Sequence, residues 1–232
     1  VAGTSYAQWG SPLRAFSGGL ADGFASKLDG TSGALTWHTF LGGTGYDYAY
    51  GIVVDGAGSI YLAGASDAAW GYPLRDYTAE LDGFAAKLSP AGRLMSSAFL
   101  GGIAPDKGYG IAVYGNAENV YVSGYSSETW GAPIRDYTGG KATFVAKVDL
   151  TPPIVGSIVL ANASPTNATS VNFTVTFSEP VIGVDETDFA LNLYDISGAA
   201  ITGLTGSDDV YTVTVSTGNG NGFIRLDVLD DD

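Results

Sequence analysis

A repeat of about sixty residues is the feature of this sequence that most constrains its fold. The motif Trp-Gly-x-Pro-[Leu/Ile]-Arg occurs at Trp9–Arg14, Trp70–Arg75 and Trp130–Arg135. Repeats at a fixed period indicate an architecture that arranges copies of one small unit. The sequence therefore predicts one structural unit built three times. Other segments return in the same order and at the same spacing: Phe24–Leu28 as Phe84–Leu88 and Phe144–Val148, Phe40–Gly43 as Phe99–Gly102, and Tyr50–Ile52 as Tyr109–Ile111.

Each repeat predicts four short strands. In the middle of the chain these are Gly51–Asp55, Ile60–Ser66, Phe84–Leu88 and Leu94–Leu100, and a long loop between the second and third carries the Trp motif. Glycine makes up 34 of the 232 residues, and this excess favours many tight turns between short strands. Four strands per repeat at this period are typical of a β-propeller blade.

The strand Gly51–Asp55 is apolar throughout, which is typical of a strand covered on both faces. We therefore expect Ile52 and Val54 to be buried. Their counterparts in the next repeat, Ile111 and Val113, carry the same expectation.

The segments GYDYAYGIVVDGAGSIYLAG and DGFAAKLSPAGRLMSSAFLGG resemble the bacterial SBBP-type β-propeller repeat found in large secreted proteins. The resemblance covers residues 1 to 150. It implies that the GIVVD strand lines the propeller axis and that the LMSSAFL strand is outermost. The sequence departs from the pattern at Tyr114, where the preceding unit has Asp55.

Counting the predicted strands gives an incomplete propeller. The chain supplies strands two to four of one blade, all four of the next, and strands one to three of a third. Closed propellers usually have at least four blades, so we expect that these repeats cannot close alone. Unpaired edges predict pairing with an added strand. That strand comes either from Val155–Leu160 of the same chain or from a neighbouring copy, and head-to-tail addition predicts a filament. The alternative is that further sequence of a longer parent protein supplies the remaining blades, so that the propeller closes.

Pro152 and Pro153 predict a linker over residues 151–153, because proline interrupts strand pairing and stiffens a connection. The composition changes there, since residues 151–232 contain one basic residue, Arg225, and eleven acidic residues. Val171–Phe177 and Val210–Val215 alternate apolar and polar residues, as strands with one solvated face do.

The segments SVNFTVTFSEPVIGVDETDFAL and YTVTVSTGNGNGFIRLDVLDDD resemble bacterial Ig-like domains of surface proteins. The predicted fold class is therefore all-β. A partial propeller of four-stranded blades occupies residues 1–150, and an Ig-like β-sandwich occupies residues 154–232. The sandwich is expected to be truncated at its last strand.

Composition argues against several classes of function. A net charge of −14 argues against nucleic acid and anionic membranes as partners, because both attract Lys and Arg. No apolar run approaches the ~20 residues that span a bilayer. The absence of cysteine excludes disulfides and cysteine nucleophiles. A catalytic triad or a histidine metal site needs partners that His38, the one histidine, lacks, and we predict that it lies exposed on an outer strand.

The three motif tryptophans, Trp9, Trp70 and Trp130, are candidates for stacking on glycans. The alternative, which we favour, is that each ring folds back to cover a blade, because large aromatic side chains are mostly buried.

A cluster of acidic residues in the second domain is a candidate calcium site, formed by Asp185, Glu186 and Asp188 or by Asp230 and Asp231. Calcium prefers six to eight oxygen ligands, and extracellular modules often bind it weakly. The favoured alternative is a short helical turn with a solvated acidic edge. No other cofactor is predicted.

Asn167 and Asn172 lie in Asn-x-Thr tripeptides and are candidate glycosylation sites. Such tripeptides also arise by chance in chains rich in Ser and Thr.

Three functions compete. The first is a non-catalytic extracellular structural or adhesive protein of a bacterial surface, which associates with itself or with other surface proteins through β edges. The second is a carbohydrate-binding module that uses the Trp loops. The third is a fragment of a secreted hydrolase. The start at Val1, without a signal peptide, predicts a processed product or a fragment.

Overall fold

The computed structural model describes residues 1–71, 73–115, 119–181 and 183–229. The chain divides into two compact units, Val1–Pro152 and Pro153–Asp232. The described residues form sixteen β-strands and one short 3-10 turn, so the all-β class is confirmed. No helix within these ranges has the length and apolar character that a membrane crossing requires.

The described residues of the first unit form ten short strands, most of seven or eight residues. Their bounds are β1 (Ala2–Ser5), β2 (Asp22–Leu28), β3 (Leu35–Leu41), β4 (Asp47–Val54), β5 (Ile60–Ser66), β6 (Asp82–Leu88), β7 (Leu94–Leu100), β8 (Asp106–Val113), β9 (Val120–Ser126) and β10 (Ala142–Val148).

These strands form three antiparallel sheets. Their orders are β1-β2-β3, β4-β5-β6-β7 and β10-β9-β8. Strands that are consecutive in sequence are neighbours in each sheet, so each sheet is a simple meander. The counts of three, four and three strands confirm the strand count that the sequence predicts.

Local side-chain hydrogen bonds shape the turns between strands. In the turn from β4 to β5, Asp55 Oδ1 accepts hydrogen bonds from the backbone N–H groups of Ala57 and Ser59, both at 2.9 Å. An aspartate that bonds to the backbone a few residues ahead stabilises a tight turn. The turn therefore fixes the register in which Val54 faces Ile60.

The middle sheet is covered on both faces. On one face Leu62 and Phe84 belong to a core that includes Leu41 of the first sheet. On the other face Tyr61 belongs to a core that includes Val122 of the third sheet. The alternation of side chains along β5 therefore directs successive residues into two different cores.

The prediction that Ile52, Val54, Ile111 and Val113 are buried is wrong. Ile52 is 38% exposed and Val54 is 57% exposed, and the other two are half-buried. Ile52 pairs with Leu62 across the strands, so both side chains point towards the first sheet. Within the described residues, the first sheet has no strand equivalent to β4 that could pack against Ile52 and Val54. The two side chains are therefore only partly covered.

In the second unit, the part of the chain that the structure describes forms six strands in two sheets, with the 3-10 turn Glu186–Asp188 between the second and third strands. The strands are β11 (Val155–Leu160), β12 (Ser170–Phe177), β13 (Phe189–Ser197), β14 (Ala200–Ser207), β15 (Val210–Ser216) and β16 (Asn219–Val228).

One sheet of the second unit has the order β11-β12-β15-β14 and the other pairs β13 with β16. Both sheets contribute to one core, which contains Phe173, Val175 and Val213 from the larger sheet and Phe189 and Leu226 from the smaller one. The alternating pattern of β12 and β15 places their apolar residues on this inner face, as the sequence predicts.

The possibility that Val155–Leu160 completes the third sheet of the first unit is not realised. This segment is β11, and it pairs antiparallel with β12 inside the second unit. The outer edge of β10 is left without a partner strand among the described residues.

Candidate functional site

The Trp motif links each repeat to the next. Arg14 ends the first copy of the motif, and its Nη1 and Nη2 donate to the carbonyl oxygens of Phe40 and Gly42, each at 3.0 Å. Its guanidinium carbon lies 5.7 Å from the ring centroid of Trp70 in the second copy. Two charge-assisted hydrogen bonds and a cation–π contact give this link a defined geometry. We call this arrangement the inter-repeat joint.

A second inter-repeat joint has the same construction. Arg75 donates to the carbonyl oxygens of Phe99 and Gly101, both at 2.6 Å, and its guanidinium carbon lies 5.4 Å from the ring centroid of Trp130. Arg135 ends the third copy of the motif and is exposed. Its side chain makes no hydrogen bond, ion pair or ring contact with the described residues.

The backbone explains why the motif contains a glycine. Gly10, Gly71 and Gly131 have φ angles of 58°, 66° and 62°, in the left-handed region that glycine occupies without a steric cost. After this turn the chain runs beside the edge strand of its own sheet, where the Arg75 carbonyl accepts from the Phe99 N–H at 2.9 Å. The turn therefore delivers the arginine to the carbonyl groups that it binds.

The motif tryptophans lie against their own sheets. Trp70 is 4% exposed, its Nε1 donates to Ser66 Oγ at 3.2 Å, and its ring meets Phe84 edge-on at 5.2 Å. A ring this buried cannot stack on a sugar, so Trp70 is removed from the candidate glycan contacts. Trp9 and Trp130 are partly exposed, and a glycan contact there stays a prediction.

His38 is buried, so the prediction that it is exposed is wrong. It is 1% exposed, its ring stacks on Trp9 with centroids 3.9 Å apart, and its Nε2 lies 2.7 Å from the Trp9 carbonyl oxygen. It occupies the position that Ser97 has in the middle repeat. Strand β3 is at the edge of its sheet, but the Trp loop folds back and covers it.

Four buried aspartates begin strands β2, β4, β6 and β8. Asp22, Asp47, Asp82 and Asp106 are each 0% exposed. Each binds the loop before it, as in the 2.7 Å hydrogen bond from the Thr78 N–H to Asp82 Oδ2. In three of them, Asp47, Asp82 and Asp106, Oδ1 has no hydrogen-bond partner among the described residues. Such an atom is costly to bury as part of a charged carboxylate.

Two of these carboxyl groups converge beside the second inter-repeat joint. A Cβ atom built on Gly101 would lie 2.8 Å from Asp82 Oδ1 and 2.5 Å from Asp106 Oδ2. Burial raises the pKa of Asp82 to about 6; the charge of Asp106 also raises it, and Arg75 opposes the shift. Burial likewise raises the pKa of Asp47 to about 6. Mild acid therefore changes the charge of the region around both joints.

A group of exposed and partly exposed tyrosines, which the sequence analysis did not single out, lies where β4 and β8 approach each other. Tyr46, Tyr48 and Tyr50 have ring centroids 6.1 and 5.8 Å apart in succession, and Tyr109 lies 5.2 Å from Tyr50. The ammonium group of Lys107 lies 5.8 Å from the ring centroid of Tyr48 and 6.0 Å from that of Tyr50. We call these four tyrosines the tyrosine cluster.

The sequence contained a signal for the tyrosine cluster. Tyrosine at every second position places the side chains on one face of a strand, and Tyr46, Tyr50 and Tyr109 are 38%, 41% and 47% exposed. Exposed aromatic rings beside a cation offer both stacking and polar contacts to a ligand.

The predicted calcium residues form a turn. Asp185 Oδ1 accepts from the Thr187 N–H at 2.7 Å, and Asp188 Oδ2 accepts from the Asp185 N–H at 2.7 Å. Together they cap the 3-10 turn that contains Glu186, as the alternative interpretation predicts. The described part of the chain contains no group of three or more potential metal ligands. Asp230 and Asp231 lie outside the described residues.

The two candidate glycosylation sites differ in accessibility. Asn167 lies exposed in the loop between β11 and β12. Asn172 lies inside β12, half-buried, and its Oδ1 accepts from Thr214 Oγ1 at 3.0 Å. Because a bulky glycan needs a surface loop, this placement favours Asn167 over Asn172.

Comparison with known families bears on the first unit. Residues 36–69 match the SBBP beta-propeller repeat model. The matched segment runs from β3 through β4 and β5 to the residue before Trp70, so it crosses from the first sheet to the middle one. No curated protein matches the chain.

Proposed function

We propose that this chain is a non-catalytic structural or adhesive protein of the extracellular surface, built from β-propeller blades and an Ig-like domain. It acts as a subunit of a larger assembly that forms through the open sheets of the blades. The proposed extracellular location and bacterial source are inferred only from the resemblance to repeats of large secreted proteins.

The blade interpretation is supported by the match at residues 36–69 and by the four-stranded meander β4-β5-β6-β7 with its flanking sheets. Propeller blades are four-stranded sheets arranged around an axis. Gly51 of β4 supports this arrangement, because a Cβ atom there would lie 2.9 Å from the Tyr109 carbonyl oxygen of β8. The first strands of adjacent sheets therefore approach backbone to backbone.

The Ig-like interpretation is supported by strand order. Immunoglobulin constant-type domains place strands A, B, E and D in one sheet and C, F and G in the other. Labelled in chain order, the second unit has A-B-E-D in one sheet and C-F in the other. Among the described residues the seventh strand has no counterpart.

The observation that carries the assembly is the difference between the middle sheet and its neighbours. Among the described residues, the first sheet has no strand equivalent to β4 of the middle sheet, and the third sheet has no strand equivalent to β7. The strands next to those two positions, β1 and β10, expose backbone groups that can pair with another strand.

Light scattering coupled to size exclusion, together with electron microscopy, tests this function on the full chain. We expect particles heavier than the 23.8 kDa chain, in proportions that increase with protein concentration. A monodisperse monomer at every concentration would contradict the proposal.

The tyrosine cluster favours a second candidate function, the binding of a soluble glycan. Calorimetric titration with a panel of glycans tests it, and we expect Tyr50→Ala to remove the heat of binding. Tyr114→Ala is the matched control, because Tyr114 is 80% exposed and its ring stacks on no aromatic ring of the described residues. Equal heats in both variants would exclude the cluster as the site.

A further inference from the structure

The two inter-repeat joints show what covers each face of a repeat. The middle sheet presents one face to the first sheet and the other to the third. At both boundaries the arginine of the earlier repeat lies over the tryptophan of the later one. The outer faces of the first and third sheets carry the same motif residues as the faces of the middle sheet. What packs on the faces of the middle sheet therefore indicates what can pack on these outer faces.

The outer face of the third sheet is an uncovered copy of a buried face. Tyr121 is 39% exposed, whereas its counterpart Tyr61 is 0% exposed. Val145 is 72% exposed, whereas its counterpart Ala85 is 0% exposed. Arg135 corresponds to Arg75, which lies over Trp130 where the equivalent face of the middle sheet meets the third sheet. Arg135 is exposed and makes no ring contact with the described residues. We call this the arginine face.

The outer face of the first sheet is the matching half. Leu28 is 45% exposed, whereas its counterpart Leu88 is 0% exposed. Trp9 occupies the position of Trp70 but has no arginine over it among the described residues. His38 stacks on its ring, and Phe24 and Phe40 meet the ring at a steep angle. The ring is nevertheless partly exposed. We call this the tryptophan face.

We propose that the arginine face of one copy of this chain docks on the tryptophan face of a second copy, so that Arg135 lies over Trp9 of that copy. This inference rests on the proposed function and adds a contact between sheet faces to the strand pairing at the edges β1 and β10. The contact is heterologous, because it uses two different patches of the chain. After one docking event, the pair of copies retains one free tryptophan face and one free arginine face, so it either adds further copies or closes into a ring.

The chemistry of the two faces is complementary. The arginine face supplies an unpaired cation and apolar area from Tyr121 and Val145, and the tryptophan face supplies an aromatic ring and the apolar side chain of Leu28. Cation–π contact with tryptophan is the strongest of the aromatic series. Since the whole chain carries a net charge of −14, added salt screens the repulsion between copies.

Variants at exposed positions test the contact without disturbing the fold. Light scattering of the full chain at physiological salt is expected to show assemblies of wild-type protein. Arg135→Glu and Leu28→Asp each block one face, and we expect each to weaken association at least tenfold. Arg93→Glu is the matched control, because Arg93 is exposed and its side chain makes no hydrogen bond, ion pair or ring contact with the described residues.

Mixing the two blocked variants gives the sharpest result. Arg135→Glu retains the tryptophan face and Leu28→Asp retains the arginine face, so the mixture is expected to form dimers and nothing larger. Wild-type assemblies that persist equally in both variants would overturn the docking surfaces and leave the proposed function intact. Association lost in only one variant would show a contact between two like faces and would also overturn the inference. A wild-type monomer would overturn both.

Discussion

Arg14 and Trp70 contact each other across the boundary between two repeats, with the guanidinium carbon 5.7 Å from the ring centroid. The same guanidinium group donates hydrogen bonds to two backbone carbonyl groups of its own repeat. The contact therefore connects the loop, the edge strand and the neighbouring sheet through a single side chain. Arg75 and Trp130 repeat it one unit later.

Removal of this arginine should destabilise the first unit. For Arg75→Ala we expect a loss of about 2 kcal/mol in the free energy of unfolding, because two charge-assisted hydrogen bonds and a cation–π contact disappear. Arg75→Lys should lose about 1 kcal/mol, since an ammonium group cannot reproduce the two-pronged geometry. All four tryptophans of the chain lie in the first unit, so denaturation followed by tryptophan fluorescence reports on that unit.

Arg93→Ala provides the comparison for these variants. The Arg93 side chain is exposed and makes no hydrogen bond, ion pair or ring contact with the described residues. Substitutions at such positions usually change the free energy of unfolding by less than about 0.5 kcal/mol. If Arg75→Ala and Arg93→Ala have equal stabilities, the inter-repeat joint does not stabilise the unit.

The stability of the first unit should decrease as the pH rises from 4 to 6. Asp82 and Asp47 have pKa values of about 6 in the folded chain, against about 3.9 in an unfolded chain. Between these values the folded state binds more protons, so the free energy of unfolding falls with pH and then levels off. Asp82→Asn removes one titrating group, and its stability relative to wild type should therefore increase over this range.

Fluorescence-monitored denaturation at a series of pH values measures this difference. Asp76→Asn is the control, since Asp76 is exposed near Asp82 in sequence. If the difference in the free energy of unfolding between Asp82→Asn and wild type is constant from pH 4 to pH 7, the buried carboxyl group does not cause the pH dependence.

Leu62 and Ile52 face each other across β4 and β5, and the two should respond differently to truncation. Leu62 is 0% exposed, so Leu62→Ala should cost about 2–5 kcal/mol through lost burial and a cavity. Ile52 is 38% exposed, so Ile52→Ala should cost less than about 1 kcal/mol. Equal losses would mean that another sheet covers Ile52 in solution.

The close approach of β4 and β8 should make Gly51 intolerant of a side chain. In Gly51→Ala the new Cβ atom would lie 2.9 Å from the Tyr109 carbonyl oxygen, so backbone must move at a cost of about 1–3 kcal/mol. Gly56→Ala is expected to leave stability unchanged or to raise it by up to about 1 kcal/mol, because its Cβ atom meets no atom within 4 Å. A neutral Gly51→Ala would show that the two strands are further apart.

The strands could be predicted from the sequence because each strand pattern occurs in more than one repeat. Ile60–Ser66 and Leu94–Leu100 match β5 and β7 at both ends. The start of β4 was placed too late, at Gly51 instead of Asp47, because a bulge between Ala49 and Gly51 interrupts the alternation. The tyrosines before the bulge were consequently not assigned to a strand face.

Burial was harder to predict than strand position, because it depends on what lies opposite. An apolar pattern shows that Ile52 suits a covered strand, but coverage requires a neighbouring strand that the described first sheet does not have. The inverse error concerns His38, whose strand is at an edge and whose side chain the Trp loop nevertheless covers. Both errors arise from contacts between elements far apart in sequence.

The division of each inter-repeat joint between two repeats bears on how such a chain changes in length during evolution. Every copy of the motif carries a tryptophan, which can contact the arginine of the preceding repeat, and an arginine, which can contact the tryptophan of the following repeat. Duplication of one repeat would therefore insert a matched pair of contacts without any compensating mutation, and deletion would reunite an arginine with a tryptophan. Recombination within the gene can thus vary the number of sheets while every boundary stays compatible.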